Sequence, residues 1–434
     1  MVGVTLVALL VAQVPAYFAA RRLAAMEKIP DGVLLLRSSS TLDWNSPSFR
    51  QDSSFYYLTG LPNAQRAVLV LEGPTKQAWL FVSPAPDSTP FVPHLKGREA
   101  SFLTANDETA RMLRIEHVLP LQQLDGFLSV RRTLRLYLDV GSTIGSLPGT
   151  DEAHAADRKA ARDRWPDTRI EDGTPVLQSV RAVKIAEEIA SLEKAARITE
   201  AAFSAGVAAI RPGARQRQVE AAVALACFRG EGDGPSFWPW ARGGAQAGPA
   251  NLYESMADYH NLDRALAAGQ LVRFDIGCES DHYKADYGRT IPVSGRFDDG
   301  QREALDLLNG AYRAGLAALR PGATPADVNR ATTAFVLEHR GALKTPFARD
   351  AAAVVNEKTG WFLHSIGLEL LEDPPRVFEP GNVICFEPRL TAHDESVFVE
   401  DTFVIVPEGY RQLSPKLPTS PGEIENEIAR LRRK

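Results

Sequence analysis

From Val33 to about Val176 the chain alternates short apolar runs with longer charged stretches. Val33–Leu36, Ala67–Leu71, Trp79–Val82 and Leu134–Val140 read as strands, and Arg98 to Leu113 reads as helical, so this part predicts an α/β domain. Turn residues then crowd the chain from Trp165-Pro166 to Asp172-Gly173-Thr174-Pro175, which predicts a domain boundary there. Beyond it, Ile185, Ile189, Leu192, Phe203, Val207 and Ile210 fall mostly at three- and four-residue steps. That spacing predicts a long helix with one apolar face, ended by Pro212-Gly213.

The second part of the chain repeats itself. Ala205-Gly206-Val207-Ala208-Ala209-Ile210-Arg211-Pro212-Gly213-Ala214 returns 109 positions later as Ala314-Gly315-Leu316-Ala317-Ala318-Leu319-Arg320-Pro321-Gly322-Ala323, identical at eight of ten positions. Two copies with unrelated connections imply a pseudo-symmetric domain and not a solenoid. The repeat extends to two apolar strands. Gly269-Gln270-Leu271-Val272-Arg273-Phe274-Asp275 matches Gly381-Asn382-Val383-Ile384-Cys385-Phe386-Glu387, each ending in Phe and an acid. Each half supplies a second acid, Asp286 and Glu400, at the head of another strand-like run. Two hairpins related by a pseudo-two-fold axis would bring Asp275, Asp286, Glu387 and Glu400 together.

Four facing carboxylates repel one another, and burying even one unpaired charge costs several kcal/mol. They require cations. An oxygen-rich set with at most one imidazole favours Mn²⁺, Fe²⁺ or Co²⁺, with Zn²⁺ also admitted. Two such ions about 3.5–4 Å apart would activate a bridging water and polarise a carbonyl, so hydrolysis is the expected chemistry. His364, in the glycine-punctuated run Trp361 to Leu368, is the imidazole candidate.

Composition narrows the partners. The chain has 434 residues, 44% hydrophobic and 24% charged, with a formal charge of -5, which suits two cores and offers no basic face for nucleic acid. Cys227, Cys278 and Cys385 are far apart and odd in number, and read as buried thiols. The apolar run over residues 1–20, with small residues near Ala16, reads as a secretory signal. Its removal would leave a periplasmic or secreted protein with no stable membrane association; without removal the protein would be cytoplasmic. No GxSxG elbow, HExxH or P-loop is present.

At these residues the sequence resembles the aminopeptidase P and prolidase branch of the pita-bread metallopeptidases. Arg50-Gln51-Asp52-Ser53 and Phe55-Tyr56-Tyr57-Leu58-Thr59-Gly60 resemble that family's amino-terminal signature, and Arg181, Lys184 and Glu188-Ile189 the start of its first catalytic helix. Asp275, Asp286 with Tyr283 and Arg289-Thr290, His364-Ser365-Ile366-Gly367-Leu368, Glu387-Pro388 and Glu400-Asp401 match its five ligand motifs in order. The resemblance implies a creatinase-like α/β domain over residues 21–176 and an α+β pita-bread domain over 177–434. It also implies two metal ions, usually manganese: Asp275 chelates one, Asp286 and Glu400 bridge, and His364 with Glu387 completes the second site. Glu387 would accept the proton of the nucleophilic water. The implied substrates are short peptides with proline second, cut at the amino-terminal bond, and the implied assembly is a homodimer or larger.

The sequence departs from that pattern around the ligands. Gly360 and Leu371 stand where relatives carry histidines, and a further histidine's place falls on Asp258 or, with a gap, on Asn251. Phe398 replaces an arginine and Thr391 a tyrosine. Losing one group that stabilises a tetrahedral intermediate costs about 2.7–4 kcal/mol. His260, His282 and His393 are therefore candidate catalytic substitutes, and Phe237, Trp238 and Trp240, in the Gly-rich stretch Gly230 to Pro249, form a candidate substrate wall. The competing readings are a non-catalytic metal- or peptide-binding protein and a hydrolase of non-peptide C–N bonds, as creatinase is on this fold.

Overall fold

The strands form where apolar runs can be covered on both faces, and their positions follow the sequence closely. The structure is a computed structural model that describes residues 13–39, 49–83, 103–139, 158–244, 263–414 and 417–433. It divides into two units, Met1–Val180 and Arg181–Lys434.

In the first unit β1 (Gly32–Arg37), β2 (Ala67–Glu72), β3 (Gln77–Val82), β4 (His117–Pro120), β5 (Arg135–Leu138) and β6 (Ile170–Asp172) form one sheet in the order β4-β3-β2-β1-β5-β6. β1, β2 and β3 pair antiparallel, and β4, β5 and β6 join in parallel. Every residue of β2 is buried, so it shows no in-out alternation. The helix expected from Arg98 is described only as Asp107–Leu113, capped by the Asn106 side chain.

The first helix, Tyr17–Glu27, overlaps the expected leader. Phe18 is buried, and a Cβ on Gly60 would lie 2.5 Å from its ring, so residues 17–20 are part of the folded unit. The expected boundary after Val176 also shifts. It falls inside the helix Thr174–Arg181, which the first unit holds through Tyr57 Oη donating to Val180 O and Thr174 Oγ1 donating to Asp139.

The second unit carries the duplication. β9 (Leu271–Ile276), β12 (Tyr287–Pro292), β14 (Val383–Glu387) and β16 (Glu395–Val406) make the centre of an antiparallel sheet. It is flanked by β8 (Trp240–Gly243) and β13 (Phe362–Ser365), while β15 (Arg389–Ala392) and β17 (Gly409–Gln412) also pair with β16. β7 (Gly234–Pro235), β10 (Cys278–Ser280) and β11 (Tyr283–Lys284) form a small separate sheet. Helices Ala186–Ala209 and Gln216–Arg229 pack together, as do Asp299–Ala318 and Pro325–His339.

The repeated residues have a packing reason. A Cβ on Gly206 would lie 2.2 Å from the ring of Phe274, and one on Gly315 would lie 2.7 Å from the ring of Phe386. Each glycine lets its helix lie directly on the phenylalanine that precedes an acid. The repeated turn glycines Gly213 and Gly322 have φ of 83° and 81°, and Gly269 and Gly381 have 89° and 94°, a region other residues enter at a cost.

The expectation of three free thiols is overturned. Cys227, on Gln216–Arg229, is joined to Cys278 on β10 by a disulfide, although 51 residues separate them. Cys385 is the buried free thiol. Among the described residues no helix is long and apolar enough to cross a membrane.

Candidate metal centre

Strand register places the acids side by side. Asp275 on β9 pairs with Gly288 on β12, and Gly288 pairs with Glu400 on β16. A Cβ on Gly288 would fall 1.9 Å from the Phe398 ring and 2.9 Å from Glu400 Oε2, so only glycine leaves room between the two carboxylates. Next to Glu400, Asp401 pairs with Phe386, which brings Glu387 from β14 into the same neighbourhood. Across β14, Phe362 pairs with Glu387 and His364 with Cys385. Asp286 directly precedes β12, and its carbonyl accepts from Thr402 Oγ1.

Two donor groups result. Ligand atoms of Asp286, His364, Cys385 and Glu400 lie within 4.8 Å of one another, as do those of Asp275, Glu387 and Glu400. Glu400 belongs to both. His364 donates from Nδ1 to Ser365 O at 3.0 Å, which leaves the Nε2 lone pair 3.7 Å from Asp286 and 3.8 Å from Glu400. Burial lowers the His364 pKa and keeps the ring neutral, the form that ligates metals. Asp286 Oδ1, His364 Nε2 and both Glu400 carboxylate oxygens are buried without a hydrogen bond among the described residues.

Such orphaned donors are costly unless a cation completes them. Burial, reinforced by the neighbouring carboxylates, pushes Asp286, Glu387 and Glu400 well above the usual carboxylate range. Burial also raises Asp275, though the Arg273 guanidinium pulls the other way. The donor set fits divalent cations, and Asp275, Asp286, His364, Glu387 and Glu400 are the residues that could hold them. The Cys385 thiol contacts Thr402 Oγ1 at 3.1 Å, and burial raises its pKa far above the usual thiol range, so it stays protonated beside the carboxylates.

The supporting groups are ordered by their own pairs. Arg289 reaches both Asp401 oxygens at 2.8 and 3.0 Å, and Tyr312 donates to Asp401 at 2.7 Å, fixing β16 next to Glu400. Lys184 and Glu372 form a buried pair at 2.9 Å beside Gly367, at the end of the His364 segment, and Tyr283 donates to Glu188.

Of the substitute histidines, His282 and His393 do not join this cluster. Asp281-His282 and His393-Asp394 are the two-residue turns of the duplicated hairpins, all four at positive φ, a conformation that Asn and Asp, and less often His, tolerate. His282 uses its backbone N–H on Asp233, and the His393 ring is held by Asp350 at 2.7 Å with both side chains more than half exposed. His260, Asp258 and Asn251 lie outside the described residues. Of the expected aromatic wall, Trp238 is 55% exposed and donates to Glu220, while Trp240 pairs in register with Asp275.

Two further residues belong to the site that the sequence reading did not single out. Arg273, two before Asp275, is buried and bonds Asp275 at 2.9 Å and Glu387 at 3.3 Å. Its guanidinium stacks 4.3 Å over Phe398, the residue that stands in place of the relatives' arginine. Gly288 is the other.

Comparison with known proteins defines the class first: this is a metallopeptidase. Residues 190–407 match the metallopeptidase family M24, and residues 18–131 match the aminopeptidase P N-terminal domain. The chain belongs to metallopeptidase family M24, with the pita-bread catalytic domain following an aminopeptidase P-type N-terminal domain. It is 26% identical to the Xaa-Pro aminopeptidase of Escherichia coli over 94% of this chain and 96% of that one. It is 24% identical to the Xaa-Pro aminopeptidase of Haemophilus influenzae, over 92% and 93%. Its fold is similar to that of Escherichia coli aminopeptidase P, with a TM-score of 0.74, 23% identity and 98% and 100% coverage. It is similar also to a putative aminopeptidase P from Bacillus anthracis, with a TM-score of 0.76, 21% identity and 95% and 98% coverage.

Proposed function

We propose that this enzyme is an exopeptidase that hydrolyses the amino-terminal bond of short Xaa-Pro peptides with two divalent ions, manganese in the first instance. The observation that carries the reading is Glu400, whose two unsatisfied oxygens belong to both donor groups at once. Asp275 would hold one ion, His364 and Glu387 the other, with Asp286 and Glu400 shared between them. The ions, when bound, supply Lewis acidity toward the peptide carbonyl and acidify a water. Glu387 would accept the proton of that water and pass it to the leaving amine. Related solved structures, of Escherichia coli aminopeptidase P with substrate, with product after zinc substitution, and with the inhibitor Pro-Leu, support a short peptide as ligand and leave zinc as an alternative metal.

The test is metal analysis of the purified protein together with turnover of an Xaa-Pro panel. Two equivalents of metal and release of the first residue are expected. Metal bound at two equivalents with no turnover of any peptide would favour the non-catalytic reading, for which the missing histidines at Gly360 and Leu371 speak.

We further propose export to an oxidising compartment with the leader cut before Tyr17. The support is the Cys227–Cys278 disulfide, a bond rare in reducing cytosol, and the burial of Phe18 just inside the first helix. Thiol titration of the denatured, unreduced protein is expected to find one thiol. Reduction is expected to lower stability by about 2–4 kcal/mol in denaturant titration. Three titratable thiols would remove the support.

A further inference from the structure

Beside Glu387 opens a cavity of about 630 Å³ lined by Arg273, Gly360, Trp361, Phe362, Arg389 and Thr391, among others. Its shape follows from the departures noted above. A Cβ on Gly360 would meet nothing within 4 Å, so the space a larger side chain would fill is open. Into this space comes a guanidinium. Arg389 is partly buried and, among the described residues, makes no hydrogen bond or ion pair with any side chain or carbonyl.

Arg273 already has its carboxylates, Asp275 at 2.9 Å and Glu387 at 3.3 Å. Arg389, among the described residues, has no acid within ion-pair distance, so an anionic group of a ligand in the cavity would supply its partner. Spacing says where that anion lies. Arg389 is two residues beyond Glu387, about 7 Å along an extended chain, which is the reach of one to two substrate residues past the cleaved bond. The apolar rings of Trp361 and Phe362 on the same wall suit the side chain that carries the carboxylate.

We propose that Arg389, with Arg273 beside it, takes the free C-terminal carboxylate of the substrate, so that the preferred substrates are di- and tripeptides. This rests on the peptidase reading above and adds the substrate's length and terminal charge. Guanidinium–carboxylate hydrogen bonds set the scale of the effect. Arg389→Leu is expected to lower kcat/KM for Ala-Pro by about 10- to 100-fold, mostly through KM, from the typical strength of a hydrogen bond to a charged group. The same variant should leave Ala-Pro amide within about twofold, a change too small to represent a lost charged hydrogen bond. Arg389→Lys, which keeps the charge, should recover part of the preference for the acid.

Binding is read separately. In the Glu387→Gln protein, calorimetry should find Ala-Pro bound at least about tenfold more tightly than its amide, and the difference should vanish when Arg389→Leu is added. Equal losses for acid and amide, or no preference for the acid in calorimetry, would overturn the proposal. If metal-loaded wild type cleaves neither peptide, the peptidase reading fails, and the calorimetric comparison still decides the role of Arg389.

Discussion

Replacing Glu400 by glutamine is expected to abolish turnover while making the metal-free protein more stable. Both effects come from one position. Glu400 serves both donor groups, so its loss removes a ligand from each. Metal-ion catalysis contributes several kcal/mol of transition-state stabilisation, and about 4 kcal/mol corresponds to a thousandfold in rate, so activity should fall at least that far. In the metal-free protein the same carboxylate is a fully buried acid with its pKa pushed up by burial and by Asp275. An amide of equal size removes that charge and should raise Tm. A variant that lost activity and stability together would point instead to a structural role. Retention of two metal equivalents would overturn the bridging assignment.

Metal removal should make stability depend on pH in an unusual sense. Asp275, Asp286, Glu387 and Glu400 all have folded-state pKa values raised above those of the unfolded chain, so the folded state binds the extra protons. Their stabilising contribution is whole below about pH 4, the unfolded value, and is lost as pH rises through the raised values. His364, lowered by burial, acts oppositely below the ordinary imidazole value of about 6.5, but one ring opposes four carboxylates. Chelator-treated protein is therefore expected to melt on the order of 10 °C lower at pH 8 than at pH 5.5, given several kcal/mol and about 2–4 °C per kcal/mol. Added Mn²⁺ should restore the loss at pH 8, where ligand at a thousand times its Kd contributes about 4 kcal/mol. Calorimetry across that pH range, with and without metal, measures it. Identical melting curves at both pH values would contradict the raised carboxyl pKa values of the metal-free centre.

How much of this could be read from the chain depends on whether the determinant is local. The acids were legible because duplication repeated them behind the same Gly, apolar and Phe positions, and the structure explains the repeat by Gly206 on Phe274 and Gly315 on Phe386. Arg273 was half legible. Alternation along β9 puts it on the face of Asp275, but its bond to Glu387 depends on β14 lying three strands away, beyond β12 and β16. The role of Gly288 depends on Phe398, more than a hundred residues on. The disulfide was missed for the same reason, since nothing in a 51-residue separation reports a Cα distance of 5.4 Å. His282 and His393 show the opposite failure. Their neighbours Asp281 and Asp394 were the local signal of two-residue turns, and that signal outweighs the chemistry of the imidazole.

β16 bonds to β12, β14, β15 and β17 along its length, with Glu400 where its partners change over. A strand held on both edges cannot fray at one donor without pulling on the other three strands. Ion exchange therefore has no low-energy route through breathing of the sheet. On the proposed reading the cavity beside Glu387 is the expected route for ions as well as for substrate, so a bound peptide is expected to act as a stopper that slows the loss of metal.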